Sequence, residues 1–454
     1  MINRPPRTLS SRTPSPVARR DLVATGAAVL LVTAAVLVGR HIQDTRHTLF
    51  VRWPPLFATW DPHVGPGTPA ALLLAAGAVA YGPALAARLS WRVLPWAAWA
   101  VSAAWIFSLA LVDGWHTGIA ARLTAPNEYL RVIGRFHDIP ATLRDFDQHI
   151  VSGTPGAWPA HIAGHPPAAT VTFVLLDRIG LGGGAWAGTW CVILGASASA
   201  AVLVALRALV DEPTARRAAP FLVFAPAAVW LGASADAYFA AVAAWGLACL
   251  ALAVTRRSLL WAAASGLLLG LTLYLSYGLT LMAVVALAVL WLGRAGIRAR
   301  PVLLVALVAG LAVVPVVFTL LGFNWWTGYH LLVIRYYQGI GGTRPYAYWI
   351  WANLACTAVI TGPATAAGLG RAGSALARRT DPAAVRLALL AGAALLALLV
   401  ADVSGMSKAE TERIWLPFAM WLLPVCAYLP GPRVWLGAQA VTALLVNHLL
   451  LTGW

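Results

Sequence analysis

Charge is scarce in this chain. Asp, Glu, Lys and Arg make up 11% of the 454 residues, against about 25% in an ordinary soluble domain. Lysine is almost missing, Lys408 being the only one among 32 basic residues. Cysteine is limited to Cys191, Cys249, Cys356 and Cys426, all within apolar runs. Neither a loop disulfide framework nor a paired zinc-ligand spacing is available, and each thiol reads as a small packing group. No soluble stretch of any size interrupts the apolar runs, which excludes a nucleotide-binding domain. The glycine-rich stretches at 180–184 and 339–343 lack the strand-then-helix context of a phosphate loop. No convincing repeat, direct or inverted, is visible.

What the chain has instead is a succession of apolar runs near the ~20 residues that cross a bilayer. About thirteen spans are expected, at 22–39, 70–87, 93–112, 185–209, 218–234, 237–254, 259–275, 278–293, 301–320, 347–370, 385–402, 415–429 and 434–450. All must be helices, because lipid offers the backbone no other partner. The expected fold is an all-α polytopic membrane protein. Residues 1–21 form a basic cytoplasmic tail, read as disordered, and 22–454 form one transmembrane domain. The first span lacks a small-x-small cleavage site and reads as an uncleaved anchor.

Charge sets the orientation. With the N-terminus in the cytoplasm, Arg19, Arg20, Arg88, Arg92, Arg207, Arg216, Arg217, Arg256, Arg257, Arg294, Arg298, Arg300, Arg371, Arg378, Arg379, Arg386 and Arg433 all fall inside. That side holds 20 basic and four acidic residues and carries the whole net charge of +16, while the outer side balances 12 against 12. The basic excess is therefore a topology signal; the expected partner is the bilayer of the plasma membrane and not a nucleic acid.

All ten histidines, 12 of the 16 acids and Lys408 fall at or near the outer face. A channel or carrier more often puts ionisable groups near mid-membrane. The main outer loop is 113–184, with further outer loops at 321–346 and 403–414. Asp113–Pro167 alone holds five acids, five histidines and four arginines. At its end, Pro166 and Pro167 open an amphipathic stretch that is expected to lie along the interface.

These features resemble the GT-C glycosyltransferases over roughly residues 93–255. The resemblance rests on a span ending outside in Asp113, a long loop running to His165-Pro166-Pro167, and a short turn carrying Ser234, Asp236 and Ala237. It implies a GT-C fold with interfacial helices in its outer loop, and a polyprenyl-phosphate-linked sugar as donor at an outer active site. NEYL and SKAETERIWLPF resemble an actinobacterial branch, the methylthioxylose transferases of lipoarabinomannan synthesis. The spans 22–39 and 70–87 depart from the pattern by preceding the helix equated with the family's first.

Transfer of a sugar from a lipid phosphate to a hydroxyl needs a base for the acceptor proton and cations for the departing phosphate. Asp113, fixed at a helix end, is the first candidate base, with an Asp-Gly turn as the bland alternative; Glu128 is the reserve. Asp236 is a site-ordering acid or a plain turn residue. Lys408, Glu410, Glu412 and Arg413 have helical spacings that predict the surface pairs Lys408–Glu412 and Glu410–Arg413. Functionally, Arg413 and Lys408 would meet the donor phosphate, with Glu410 ordering the site. Arg335 and Arg344 flank the glycine run and could close over a phosphate or simply anchor the interface. His165 is expected to contact phosphate or sugar.

No cofactor is expected. A divalent cation among His116, His137, His149, His161, His165, Asp138, Asp145 and Asp147 is the alternative held open, although no HExxH-type spacing supports it. The expected enzyme transfers a sugar from a polyprenyl-phosphate donor to an envelope glycan or glycolipid in one inverting displacement. The rivals are a flippase or exporter of lipid-linked sugars and a non-catalytic envelope assembly protein. Sugar, acceptor, linkage and oligomeric state are not encoded legibly.

Overall fold

The computed structural model describes residues 16–379 and 381–453. Among them, eight helices are long and apolar enough to cross a membrane: Arg19–Arg46, Thr68–Arg88, Leu94–Asp113, Gly184–Leu209, Ala235–Arg256, Val302–Leu320, Tyr346–Arg378 and Pro382–Val403. The first three lie in α1 (Pro16–Arg46), α2 (Thr68–Arg88) and α3 (Leu94–Ala110) with the turn that follows it. The first helix absorbs the end of the expected tail, since Arg19, Arg20 and Asp21 are helical and Asp21 is buried against Arg371 at 2.7 Å. Residues 1–15 of that tail lie outside the described residues.

The remaining five of the thirteen expected spans take other forms. Leu259–Leu275 and Tyr277–Leu292 are shorter apolar helices, and Pro432–Leu449 carries buried Gln439 and Asn447. The segments 218–234 and 415–429 are broken. Helix Glu212–Val223 gives way to a 3-10 turn at Pro226–Val229, and Leu416–Ala419 to another at Leu423–Tyr428. Pro220, Pro226, Pro417 and Pro424 remove amide donors within these stretches. Such backbone survives at membrane depth only inside protein, and every residue from 218 to 244 is buried. Apolar composition marked these stretches as spans because it does not distinguish protein from lipid as the surrounding medium.

Ala235–Arg256 is the axis of the bundle, packed between Gly184–Leu209 and Leu259–Leu275. Its most apolar stretch is 94% buried, against 11% for Arg19–Arg46 and 17% for Val302–Leu320 at the periphery. The helix Tyr346–Arg378 is bent at Gly362, which has φ 78° and ψ 172° and is followed by Pro363. Gln439 fills the break: its Nε2 donates to the Thr361 carbonyl at 2.7 Å and its Oε1 accepts from the Ala364 amide at 3.4 Å. A Cβ at position 362 would lie 1.9 Å from Gln439 Oε1. Gly362→Ala is expected to lower the thermal unfolding midpoint of the purified protein, the backbone conformation alone costing about 1–3 kcal/mol. An unchanged midpoint would contradict this account of the bend.

Loop contacts sort to two ends. At one, β1 (Ala58–Trp60) pairs antiparallel with β2 (Leu450–Thr452), Ala58 facing Thr452, and the 113–184 loop meets Arg335 and Gln338. At the other, arginines cap helix C-termini: Arg216 on Ala86 and Leu89, Arg300 on Arg257, and Arg386 on Leu209. The 113–184 loop folds on its own buried aromatics, Phe136, Phe146 and Trp158, with the Arg135 guanidinium 3.5 Å from the Trp158 ring centre. After Pro166 and Pro167, helix Ala168–Arg178 has 11 residues, about 16 Å, too short to cross hydrocarbon. It buries Phe173 and Val174 and exposes Leu175.

Candidate active site

Five segments converge on Arg413 at the β1/β2 end. Ala409 and Glu410 both adopt left-handed backbone, φ 71° and 60°, so the chain enters the short helix Thr411–Ile414 through a sharp turn. Lys408 and Glu412 are therefore not on one helix, and their expected pair is replaced. Lys408 Nζ donates to the Gly341 carbonyl at 2.9 Å, and Glu412 Oε1 accepts the Phe57 amide at 2.7 Å. Glu410 and Arg413 do pair, at 3.2 Å, but Arg413 is buried and the contact is not the surface pair expected. Non-glycine residues in this backbone region cost about 1–3 kcal/mol each, a strain that tends to collect at functional sites.

Arg413 also donates to Asp236, and both side chains are only 5% exposed. Asp236 sits in the first turn of Ala235–Arg256, its amide bonded to the N-cap Ser234 Oγ at 3.2 Å. A carboxylate is favoured there by the unpaired amides of the helix start. Buried Arg344 donates to the carbonyls of Lys408 at 2.7 Å and Leu49 at 3.0 Å, and lies 3.6 Å from Glu410. Glu410 thus bridges two guanidiniums. Buried Glu128 pairs with His161 at 2.8 Å, and the Tyr129 ring lies beside His161 and His165.

The electrostatics are those of a closed ionic cluster. Burial opposes the charge on Arg413, but Asp236, Glu410 and Glu128 hold its proton and raise its pKa overall. Burial likewise opposes ionisation of Glu410, yet Arg413 and Arg344 pull its pKa below the ordinary carboxylate value. Burial lowers the His165 pKa to about 4, so the ring is neutral near pH 7. Its Nδ1 donates to the His161 carbonyl at 2.6 Å. Nε2 is then an acceptor, which suits a sugar hydroxyl.

Glu412 is pushed up to about 7 by burial, with Glu410 adding and the Phe57 amide and Arg413 opposing. An acid that holds its proton more tightly when folded contributes stability that is full below its ordinary value of 4.5 and declines as pH rises through about 7. Glu412→Gln keeps an acceptor for Phe57 and removes the ionisation. Its unfolding midpoint is expected to change less than that of the wild type between about pH 5 and 8; a decline as steep as the wild type's would contradict the assignment.

Asp113 lies in a second cluster. Its Oδ1 meets His63 Nε2 at 2.7 Å and its Oδ2 accepts from Arg122 at 2.8 Å. His63 Nδ1 donates to the Asp61 carbonyl at 2.6 Å. Burial disfavours the charged ring, but the Asp61 carbonyl and Asp113 outweigh it and raise its pKa. Arg122 also donates to the Thr452 carbonyl on β2 at 3.0 Å. Since Phe57, next to β1, is held by Glu412, the ribbon connects the Asp113 and Arg413 clusters.

Of the residues selected from sequence, Glu128, Asp236, Arg344, Glu410 and Arg413 come together, with Lys408 at their edge. Arg335 instead donates to the Trp158 carbonyl at 3.5 Å. The glycine run between Arg335 and Arg344, read as closing over a phosphate or as part of an interfacial anchor, contains a short helix, Ile340–Thr343, held by Lys408. Tyr129, His63 and Arg122 carry no expectation from sequence, and His161 only that of a candidate cation ligand; each reaches its partner through a turn or a distant segment, which leaves no periodic spacing to read. Among the described residues no three His, Cys, Asp or Glu side chains gather to hold a metal ion. The acids of both clusters are paired with arginine or histidine.

No family model and no curated protein matches the chain. It is similar to solved structures of the Archaeoglobus fulgidus oligosaccharyltransferase. For the complex with Zn and sulfate the identity is 13% and the TM-score 0.45, over 76% of this chain and 53% of that one. For the form tethered with an acceptor peptide the values are 12% and 0.44, over 74% and 49%. The apo form gives 13% and 0.42, over 74% and 51%. The chain thus spans about half the length of the solved chains it matches.

Proposed function

We propose that this chain is a membrane glycosyltransferase of GT-C type, moving a sugar from a polyprenyl-phosphate donor to an envelope glycan or glycolipid on the outer face. One observation carries the reading: an ionic cluster of buried Glu128, Asp236, Arg344 and Arg413 with half-buried His161 and Glu410, drawn from distant segments to one end of an apolar helical bundle. Buried ionisable groups in such a setting are costly and point to function. The finer assignment, to the actinobacterial methylthioxylose-transferase branch, rests on NEYL and SKAETERIWLPF.

In the mechanism, Glu128 accepts the proton of the acceptor hydroxyl. That oxygen attacks the anomeric carbon from the face opposite the phosphate, and the bond from carbon to phosphate oxygen breaks with its electron pair leaving on the polyprenyl phosphate. Configuration inverts. Glu410 now occupies the place between Arg344 and Arg413 that an anion would take; the donor phosphate replaces it there, and the planar guanidiniums stabilise the charge that grows on departure. Asp236 keeps Arg413 oriented. Asp113 is held by two cationic partners and is assigned to positioning the ribbon.

The flippase reading needs a polar route across the bundle. The obvious candidate is the stripe Asn353, Thr357, Thr361 and Thr365, but each threonine hydroxyl donates to the carbonyl four residues before it. The deciding experiment reconstitutes the purified protein in liposomes with labelled polyprenyl-phosphate sugars and envelope glycolipid. Covalent label on the acceptor supports the proposal. Label that crosses the bilayer without transfer sinks it in favour of transport, and neither event leaves the assembly role.

A further inference from the structure

The end of the molecule opposite the Arg413 cluster holds a cavity of about 480 Å³ between α1, Tyr346–Arg378 and the Leu423–Tyr428 turn. Arg20, Asp21, Arg371, Ser374, Arg378 and Tyr428 form its polar lining. Arg344 precedes the start of the bent helix Tyr346–Arg378 and Arg371 lies near its other end, so the cavity sits at the far end of that helix from the Arg413 cluster.

Asp21 does not neutralise this cavity, because Arg371 takes up both of its oxygens: Nε donates to Oδ1 at 2.8 Å and a terminal nitrogen to Oδ2 at 2.7 Å. The other terminal nitrogen of Arg371 donates to the Tyr428 carbonyl at 3.2 Å. The pair is an internally balanced, fixed floor. Arg20 and Arg378 line the same cavity, are exposed, and have no acidic partner among the described residues. A general excess of arginine on this side explains positive charge at the surface. It does not explain two arginines without acidic partners lining one cavity whose only carboxylate is already satisfied. The other large cavity, about 650 Å³ along α2 and Pro432–Leu449, has a single arginine, Arg433, among aliphatic side chains.

We propose that the 480 Å³ cavity binds the phosphate of an anionic membrane lipid, with Arg20 and Arg378 on the phosphate oxygens and Ala367 and Ala375 as the apolar wall. The full-length protein, stripped of lipid in detergent, would be titrated with phosphatidylglycerol or phosphatidylcholine and the retained lipid read by native mass spectrometry. The wild type is expected to retain phosphatidylglycerol about tenfold better than phosphatidylcholine, two arginines near a headgroup being sufficient for that preference. Arg20→Gln with Arg378→Gln is expected to abolish the preference, and Arg433→Gln to preserve it. Equal retention of both lipids by the wild type overturns the proposal, and so does an unaltered preference in the double variant. A second arm adds millimolar inorganic phosphate: persistence of bound lipid supports the lipid assignment, whereas full displacement assigns the cavity to free phosphate and rejects it.

Discussion

Arg413→Met is expected to destabilise the protein by about 3–5 kcal/mol, the usual cost of removing one partner from a buried ion pair and stranding the other. Asp236 would be left in a site where its side chain is 5% exposed, and Glu410 would lose one of its two guanidinium partners. Chemical unfolding of the purified protein in detergent measures the loss. Adding Asp236→Asn to Arg413→Met is expected to recover part of it, because the stranded charge disappears. If the double variant loses as much as the two single losses summed, the pair is not coupled and the centre of the cluster is wrongly identified. Arg413→Lys separates stability from chemistry: the charge remains while the planar fork is lost. That variant is expected to stay folded with sugar transfer reduced.

Glu128→Gln is expected to lower the transfer rate by about 10²–10⁴-fold, the range contributed by a positioned base. Asp113→Asn is expected to act the other way. It weakens the link to His63 and Arg122, so the larger loss falls on stability, and the folded fraction keeps most of its rate. Rates measured on folded protein decide between them. Abolished transfer in Asp113→Asn with near-native transfer in Glu128→Gln would return the proton to Asp113.

Much of this cluster was visible one residue at a time. Asp236 announces itself as an acid in the short turn before a long apolar run, and Arg413 as a cation just before IWLPF. Their meeting was not visible, because 177 residues separate them and no spacing rule reaches that far. Local rules also failed at 408–412, where helical spacing predicted a Lys408–Glu412 pair. The left-handed turn falls on Ala409 and Glu410, neither of them a glycine or asparagine that would have signalled it. Asp113 was found for its position at a helix end, yet what determines its chemistry is the pair His63 and Arg122, supplied by neighbouring loops. The overall helical character followed directly from hydropathy. The division into eight long helices and several short or broken passes did not, since a proline-broken apolar segment reads the same whether neighbouring helices or acyl chains surround it.

The broken passage over 218–234 has a consequence for biosynthesis. The Pro226–Val229 turn is covered by Tyr346–Arg378 and Pro432–Leu449. A ribosome therefore makes the turn roughly two hundred residues before the last of its cover, a delay of about 10–40 s at ordinary elongation rates of about 5–20 residues per second. Through that interval the segment cannot partition into lipid as an independent helix, because its unpaired amides and carbonyls have nothing to bond to. It must wait at the insertion machinery or in the company of earlier helices, so that this segment reaches its final packing only after Pro432–Leu449 has been made.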